Sequence, residues 1–562
     1  MESIPNQGPG QASPCIAVAA PTPMAQHQAS ARTRRALHRA PLALLLLTGF
    51  ITVVYYFSWW FEDARIGSWP HVVALVAAAL YQGMQLFLCW FLYWKAESCR
   101  APPIAPDSSP EQLVAIPAVD VFVPVYREPY HVVAAALRAS RDMELPHRTV
   151  LLDDDRDPAM RLLAAELGVG YRVRSSNKDA KAGNVNAALA DSTAEIVVIF
   201  DVDHRPKPEF LAKTIGHFRD PGIGFVQVML TFDNAQESWV ARAASESTIE
   251  FFNPTCLGMD AVGSTTLIGS NALIRTKALR QIGGYRPGLA EDLATSVALH
   301  AAGWKSVYVH EPLAPGLAPS DLASWFAQQL KWSRGVFEVV LVDYPRLWRR
   351  LTTAARACYV VRGSYYLLGI LVAVHLLLTA TALLLGQWSA ESEFTSYVQH
   401  ALPLLVAILL IRQTVMRHVA YPGTPTRLLW RPVLLVTATW SVYLAGLVLT
   451  LLRVPIRYRP TPKTRGRAVR VAWILPQLAA VVLLVLGIAG AGPTVSPWLF
   501  CFAFVQLVSQ ACVPIVAAAE RLAGAGAVPP RQAQRNGEPA AAPITRTGIA
   551  SGRSVTTQCP CA

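Results

Sequence analysis

Charge is scarce in this chain. Asp, Glu, Lys and Arg make up 15% of its 562 residues, whereas 53% are hydrophobic. So few charges exclude an ordinary soluble protein of this size. Cysteine offers no framework either. The nine cysteines are scattered, several inside apolar runs (Cys89, Cys501, Cys512), and no spacing matches a zinc site or a disulfide scaffold. No clear small-residue cleavage site follows the first basic and apolar stretch, which argues against a signal peptide. Acidic residues number 37 against 50 basic ones, a net charge of +13. In a membrane protein that excess collects in cytoplasmic loops, so nucleic acid is not expected as a partner. The ending Cys559-Pro-Cys-Ala562 matches a prenylation signal only in form.

What the chain has instead is long uncharged apolar stretches. They run over Pro41–Phe61, Ile66–Trp94, Gly363–Ala390, Phe394–Ile411, Pro432–Leu452 and Val471–Ala519, the last broken at Gly490-Ala-Gly-Pro493. About 20 apolar residues cross the hydrocarbon core of a bilayer. The lipid bilayer is therefore the first expected partner. Residues 1–30 are rich in Pro, Gln, Ser and Ala, and a disordered segment is expected over 1–40, closed by Arg32, Arg34, Arg35 and Arg39. These arginines place the N-terminus in the cytoplasm, and a hairpin over 41–95 returns the chain there. The stretch 432–452 carries basic residues on both flanks. If it crossed, Arg453, Arg457, Arg459, Lys463, Arg465, Arg467 and Arg470 would all lie outside. An interfacial helix is expected there, within a membrane region over 346–520 that gives six spans with the hairpin. The tail over 521–562 is expected to be disordered.

The polar segment 96–345 alternates strand and helix patterns. Strands are predicted at Asp120–Val125, Thr149–Leu152, Tyr171–Arg174, Ile196–Phe200 and Gly224–Val228, and helices at Ala159–Leu167, Lys181–Ala190 and Glu209–Phe218. This alternation predicts an α/β, Rossmann-like, mainly parallel sheet inserted between transmembrane helices. Ligands of such sheets sit beyond the carboxyl ends of the strands. Three of those ends are polar: Tyr126 to Glu128, Asp153 to Asp155, and Asp201 to His204.

Asp201 and Asp203 can converge on one hard cation, Mg²⁺ or Mn²⁺, which would bridge to a diphosphate. An Asp-x-Asp in a solvated loop would look the same. His204 suits either the metal, a phosphate or a structural place. Asp153 and Asp154 can accept from a base or a ribose, or simply form a turn. Lys178 and Lys181, near a helix start, can face a diphosphate or water. Glu291-Asp292 opens a helix after Gly283-Gly-Tyr-Arg-Pro-Gly288. A carboxylate there suits a general base, although helix N-termini favour acids anyway. Gln328, Lys331 and Trp332 lie on an amphipathic helix leading to the membrane. Trp332 offers a flat face to a sugar or to the membrane interface.

In order, Asp153-Asp154, Asp201-Val-Asp203, Glu291-Asp292 and Gln328-x-x-Lys-Trp332 resemble the D, DxD, TED and QxxRW series of glycosyltransferase family 2 processive synthases, of the bacterial cellulose synthase catalytic type. The resemblance covers about residues 40–520. Val123-Pro-Val-Tyr-Arg-Glu-Pro129, Lys181-Ala-Gly-Asn-Val-Asn-Ala187 and Gly303-Trp-Lys-Ser-Val-Tyr308 support it. It implies a GT-A fold, a nucleotide sugar such as UDP-glucose as donor, a growing polysaccharide threaded through the helices, and other secretion-complex subunits as partners. It also implies a bacterial inner membrane with the catalytic domain in the cytoplasm. By the same resemblance Tyr126, Glu128, Asp153, Asp154, Lys181 and Asp201 would hold the nucleotide sugar. Asp201 and Asp203 would hold metal, Asp292 would be the base, and Gln328, Lys331 and Trp332 would hold the acceptor. A gating-like loop over 453–470 would carry Tyr458, Thr461 and Lys463. A non-processive transferase and an inactive transport or scaffold protein are the competing readings.

The chain also departs from the pattern. Lys331 replaces an Arg and keeps the charge without the bidentate fork. Asp155 stands where Gly is frequent. Pro460 and Thr464 depart from the gating pattern. About 40 residues after Glu520 are too few for a cyclic-di-GMP-binding domain, so control by that dinucleotide within this chain is not expected.

Overall fold

The computed structural model describes residues 23–62, 69–96, 117–386, 393–456, 468–492 and 495–526. Tyr458, Thr461 and Lys463 lie outside the described residues. Within them, seven strands form one sheet in the order β3-β2-β1-β4-β6-β5-β7. They are β1 Val119–Val125, β2 Arg148–Asp153, β3 Gly170–Val173, β4 Ile196–Ile199, β5 Ile223–Val228, β6 Ala272–Arg275 and β7 Lys305–Val309. Strands β1, β4 and β5 are buried almost throughout, as expected of strands covered on both faces. Pro124 lies beyond the stretch of β1 that pairs with β4, which ends at Phe122.

Helices α3 (Tyr130–Arg141) and α4 (Pro158–Leu167) cover one face, where Val121, Val123, Ile196 and Val198 pack with Val133, Leu137 and Leu163. Helices α5 (Ala180–Asp191) and α7 (Glu291–Ala301) cover the other, where Phe122, Val197 and Ile199 pack with Val185, Leu189 and Leu299. The alternation along each strand assigns successive side chains to opposite layers. Between α5 and α7 in sequence lies α6 (Trp239–Ser247).

The sheet is mainly parallel, with one reversal. Strand β6 runs antiparallel to both β4 and β5. Neither β6 nor β7 is visible in the periodicity, since four and five residues are too short to establish an alternation. The reversal matters for the site. Ala272 pairs with Ile199, so the turn before β6 arrives beside the end of β4.

Among the described residues, five helices are long and apolar enough to cross a membrane: Arg39–Trp60, Trp69–Lys95, Thr353–Leu385, Phe394–Val419 and Pro497–Ala523. The first belongs to α1, Pro23–Trp60, so residues 23–40 are helical where a disordered segment is expected from composition. The second is α2. The third joins α9 (Thr353–Ser364) and α10 (Leu368–Leu385) through a tight turn, and it begins ten residues before the apolar run. The fourth is α11 (Phe394–Val419). The apolar run that begins at Val471 and breaks at Gly490 yields a shorter helix than a span needs: α14 runs only over Leu475–Gly490. Pro476 sits in its first turn, and the chain leaves the helix at Ala491. Helix α15 (Pro497–Gly526) carries the last of the five.

The stretch 432–452 forms two helices, α12 (Trp430–Ala438) and α13 (Trp440–Leu451), bent by 42° at Thr439. They pack against α6 and against α8 (Leu322–Glu338) of the catalytic unit. Trp325 Nε1 donates to Thr439 Oγ1 at 2.9 Å, and Thr450 Oγ1 to the Arg334 carbonyl at 3.3 Å.

Candidate active site

Parallel register brings three strand ends to one edge. Val125 of β1 pairs with Asp153 of β2, and Phe122 pairs with Ile199 of β4. The residues that follow therefore meet at the carboxyl edge. They line a cavity of about 1440 Å³ together with the start of α7, the wall of α8 and parts of α2, α9 and α11. Tyr126, Glu128, Asp154, Lys181, Asp201, Asp203, Asp292, Gln328, Lys331 and Trp332 all line it.

Asp153 does not. Its carboxylate accepts from the backbone N–H groups of Asp155 (2.8 Å), Arg156 (3.1 Å) and Asp157 (2.7 Å) and from the Tyr171 hydroxyl (2.9 Å). It is 1% exposed and closes its own turn. Asp154 points the other way and receives the fork of Arg174, Nε at 2.6 Å and Nη2 at 2.7 Å. Arg174 also donates to the Ala180 carbonyl at 2.8 Å, which ties the Asp154 turn to the start of α5. The bidentate geometry is the strong form of this pair. Arg174 was expected only as the end of a strand, because nothing local marks its partner 20 residues away.

Lys181 leads into the acid cluster rather than into solvent. Its ammonium donates to Asp201 Oδ1 at 2.5 Å and to the Gly269 carbonyl at 2.6 Å, with Glu291 Oε1 at 3.7 Å. Burial alone would lower its pKa, but Asp201, Glu291 and Asp292 outweigh that and hold it above the usual lysine value. The Asp201 backbone N–H donates to Ser270 Oγ at 2.9 Å. The Gly269–Ser270 turn is thus part of the floor of the site, delivered by the reversed strand β6. Its sequence signal is the Gly-Ser-Asn turn just ahead of an apolar strand. Asp203 Oδ2 accepts from the Leu317 N–H at 3.3 Å. His204 is buried and bonds through Nδ1 to the Ala314 carbonyl at 3.0 Å, packed against Gly316, which fits a structural role.

Asp292 is held by the first turn of α7, where Oδ1 accepts the Leu293 N–H at 2.7 Å. Burial raises its pKa; Arg362 is the largest charge acting in the opposite direction, and Asp201 adds to the rise. Burial raises Glu291 as well, against Lys181. A side chain at Gly269 would stand 3.5 Å from Asp292 Oδ2. Helix α8 closes against this turn because Gly335 has no side chain: a Cβ there would lie 2.7 Å from the Ala290 backbone nitrogen. That contact fixes α8, and with it Trp332, 38% exposed, in the wall of the cavity that Asp292 also lines.

The family model described as "Glycosyl transferase family group 2" matches residues 196–505, more than half of the chain. "Putative cellulose synthase 2" of Komagataeibacter xylinus is 32% identical over 364 residues, 63% of this chain and 23% of that protein. The "Cellulose synthase catalytic subunit (UDP-forming)" of Pseudomonas fluorescens (strain SBW25) is 31% identical over 382 residues, 65% of this chain and 51% of that protein. The chain thus spans about a quarter to a half of the length of these relatives. Among solved structures, the mannosyltransferase PcManGT from Pyrobaculum calidifontis, in complex with GDP-Man and Mn2+, aligns with 17% identity and a TM-score of 0.48, covering 68% of this chain and 99% of that one. The family match takes in the acid-bearing end of β4, the α7 carboxylates and the α8 wall, and on it this chain is a cellulose-synthase-like member of glycosyl transferase family group 2.

Proposed function

We propose that the chain is a membrane-embedded, inverting glycosyltransferase that extends a β-linked polysaccharide from a nucleotide sugar, UDP-glucose being the first candidate, and passes the product into its own helices. The relatives matched are cellulose synthase catalytic subunits, which supports a polysaccharide synthase. The observation that carries the reading is the extent of one cavity. Its lining includes the strand-end acids and also Gln85 and Tyr93 of α2, Arg362 of α9 and Arg412 of α11. A polymer lengthened at Asp292 would have a path already open towards the apolar helices. The arginine pattern supports a cytoplasmic catalytic unit, and the bacterial relatives support an inner membrane.

In this reading Tyr126, Glu128, Asp154 and Lys181 hold the nucleotide sugar. Asp201 and Asp203 fit a hard divalent cation, Mg²⁺ or Mn²⁺: both are carboxylates lining the cavity, and Asp201 keeps Oδ2 for the metal while Oδ1 accepts from Lys181. Among the described residues no three His, Cys, Asp or Glu side chains group as ligands, so diphosphate and water would complete the shell. Bound there, the cation would neutralise charge on the departing diphosphate. The acceptor hydroxyl gives its proton to Asp292 as its oxygen attacks the anomeric carbon. The bond to the diphosphate breaks on the opposite face, and the configuration inverts. Burial makes Asp292 the better base by raising its proton affinity. Trp332 stacks the acceptor sugar, and Gln328 and Lys331 bind its polar groups.

The test is to offer radiolabelled UDP-glucose, UDP-N-acetylglucosamine, UDP-glucuronate and GDP-mannose to membranes containing the protein. The product is sized and digested with linkage-specific hydrolases. A long, β-linked labelled polymer is expected. A single-sugar glycolipid, or no transfer from any donor, overturns the proposal.

A further inference from the structure

Arg362 is a half-buried cation at the edge of an apolar span, immediately before its first apolar run. It lies within the Thr353–Leu385 helix, in the run Val360-Val-Arg-Gly363, and its side chain lines the cavity. Charged groups inside apolar spans persist when they pair or serve a ligand. Two other arginines of the cavity wall are paired. Arg412 binds Glu250 and donates to the Thr426 carbonyl at 2.9 Å. Arg334 binds Glu338 at 2.9 Å. Arg362 has no such partner among the described residues. Its guanidinium sits 4.7 Å from the centroid of the Phe251 ring, and its Nε is buried without a hydrogen-bond acceptor. Tyr365 and Tyr366, one turn on, line the same cavity. The geometry is that of a cavity-lining guanidinium laid on an aromatic face, with its buried Nε lacking an acceptor.

We propose that Arg362 binds an oxyanion carried by the acceptor, a sugar carboxylate or a lipid-linked phosphate, on the membrane side of Asp292. The inference rests on the transferase reading: a lipid-linked phosphate is compatible with UDP-glucose as donor, whereas a sugar carboxylate requires a uronic-acid donor in its place. A guanidinium satisfies carboxylate and phosphate oxygens with two parallel hydrogen bonds, which neutral hydroxyls reproduce less well. An acceptor that brings a negative charge would supply the close, hydrogen-bonded counter-ion that Arg362 lacks among the described residues. Asp292 is the nearby acid that feels Arg362, and a second anion would free it from that duty.

The test is equilibrium binding to the purified full chain in detergent, without donor, so that it stands apart from any test of transfer. The probes are β-linked tetrasaccharides of glucose and of glucuronate, and a polyprenyl monophosphate. UDP binding and thermal stability are followed in parallel as controls for folding. One of the two anionic probes should bind about 10–100-fold more tightly than the neutral tetrasaccharide, the range expected of a charge-assisted contact. Preference for the glucuronate probe assigns the oxyanion to the glycan, and preference for the phosphate probe assigns it to a lipid-linked acceptor. R362Q should erase the preference with UDP binding unchanged, and R362K should keep part of it. Equal or tighter binding of the neutral probe overturns the proposal, as does a preference that survives in R362Q. Transfer activity with no anionic preference would leave the synthase reading standing and remove this one.

Discussion

The carboxylate of Asp153 is enclosed by its own turn, while that of Asp154, one residue on, faces the cavity. Substitution should separate the two. Asp153→Ala leaves three backbone donors and the Tyr171 hydroxyl without their shared acceptor, and a loss of about 2–3 kcal/mol of stability is expected. A thermal-inactivation curve unchanged from the parent would contradict that assignment. Asp292→Asn should behave otherwise. Nucleotide binding should survive, and single-turnover transfer should fall by about 10²–10⁴-fold, the usual cost of a lost general base. If UDP binding fell as far as it does in Asp201→Asn, Asp292 would belong to the donor site instead. The order of these acids was legible in sequence. That Asp153 turns inward was not, because its partners are donors from the following turn and a hydroxyl on β3.

At the scale of elements, the acceptor wall depends on close helix packing. Gly446 of α13 meets Ser333 of α8, and a side chain there would collide with the Ser333 side chain. Gly446→Val should push α13 off α8 at a cost of about 1–3 kcal/mol. Product length should shorten while UDP binding holds, because Trp332 shifts and the strand-end acids do not. Equal product length with an unchanged melting point would show that the contact is dispensable. A second joint ties the catalytic unit to α9: His300 of α7 bonds Tyr359 at 2.6 Å and Ser306 at 3.0 Å. Burial lowers the His300 pKa from 6.5 to about 4. Between those values the unfolded chain binds the proton that the folded one refuses. Stability is therefore full above pH 6.5 and is lost as the pH falls towards 4, by about 3 kcal/mol for this residue. His217 and His310 shift the same way, also through burial, and deepen the effect. In thermal-inactivation curves across this window, His300→Gln should flatten the pH dependence; an identical slope would exclude His300 as a contributor.

For the whole molecule, the open question is which side of the membrane receives the segment after α13. Seven basic residues, Arg453 to Arg470, follow it. The 42° bend and the contacts of α12 and α13 with α6 and α8 fit a pair lying along the catalytic unit. Single cysteines placed at Arg459 and Arg465, in a background cleared of other reactive thiols, should resist membrane-impermeant labelling in intact cells and react once the membrane is opened. Strong labelling in intact cells would make the pair a true span and reverse the tail.

The sequence by itself determined the apolar runs, the strand–helix alternation and the order of acids along the chain. Each of these is a local property: periodicity and hydrophobicity are set by neighbours a few residues apart, and one strand end follows another in the same register. Tertiary structure alone decided that β6 reverses and delivers the Gly269–Ser270 turn to Asp201, that Arg174 neutralises Asp154, and that α14 stops short of a full span. It alone placed Arg362 in the cavity wall, within reach of the Asp292 charge but with no salt bridge among the described residues. These depend on which distant segments pack together, and a side chain's partner across 20 or 88 residues leaves no mark on its own local pattern.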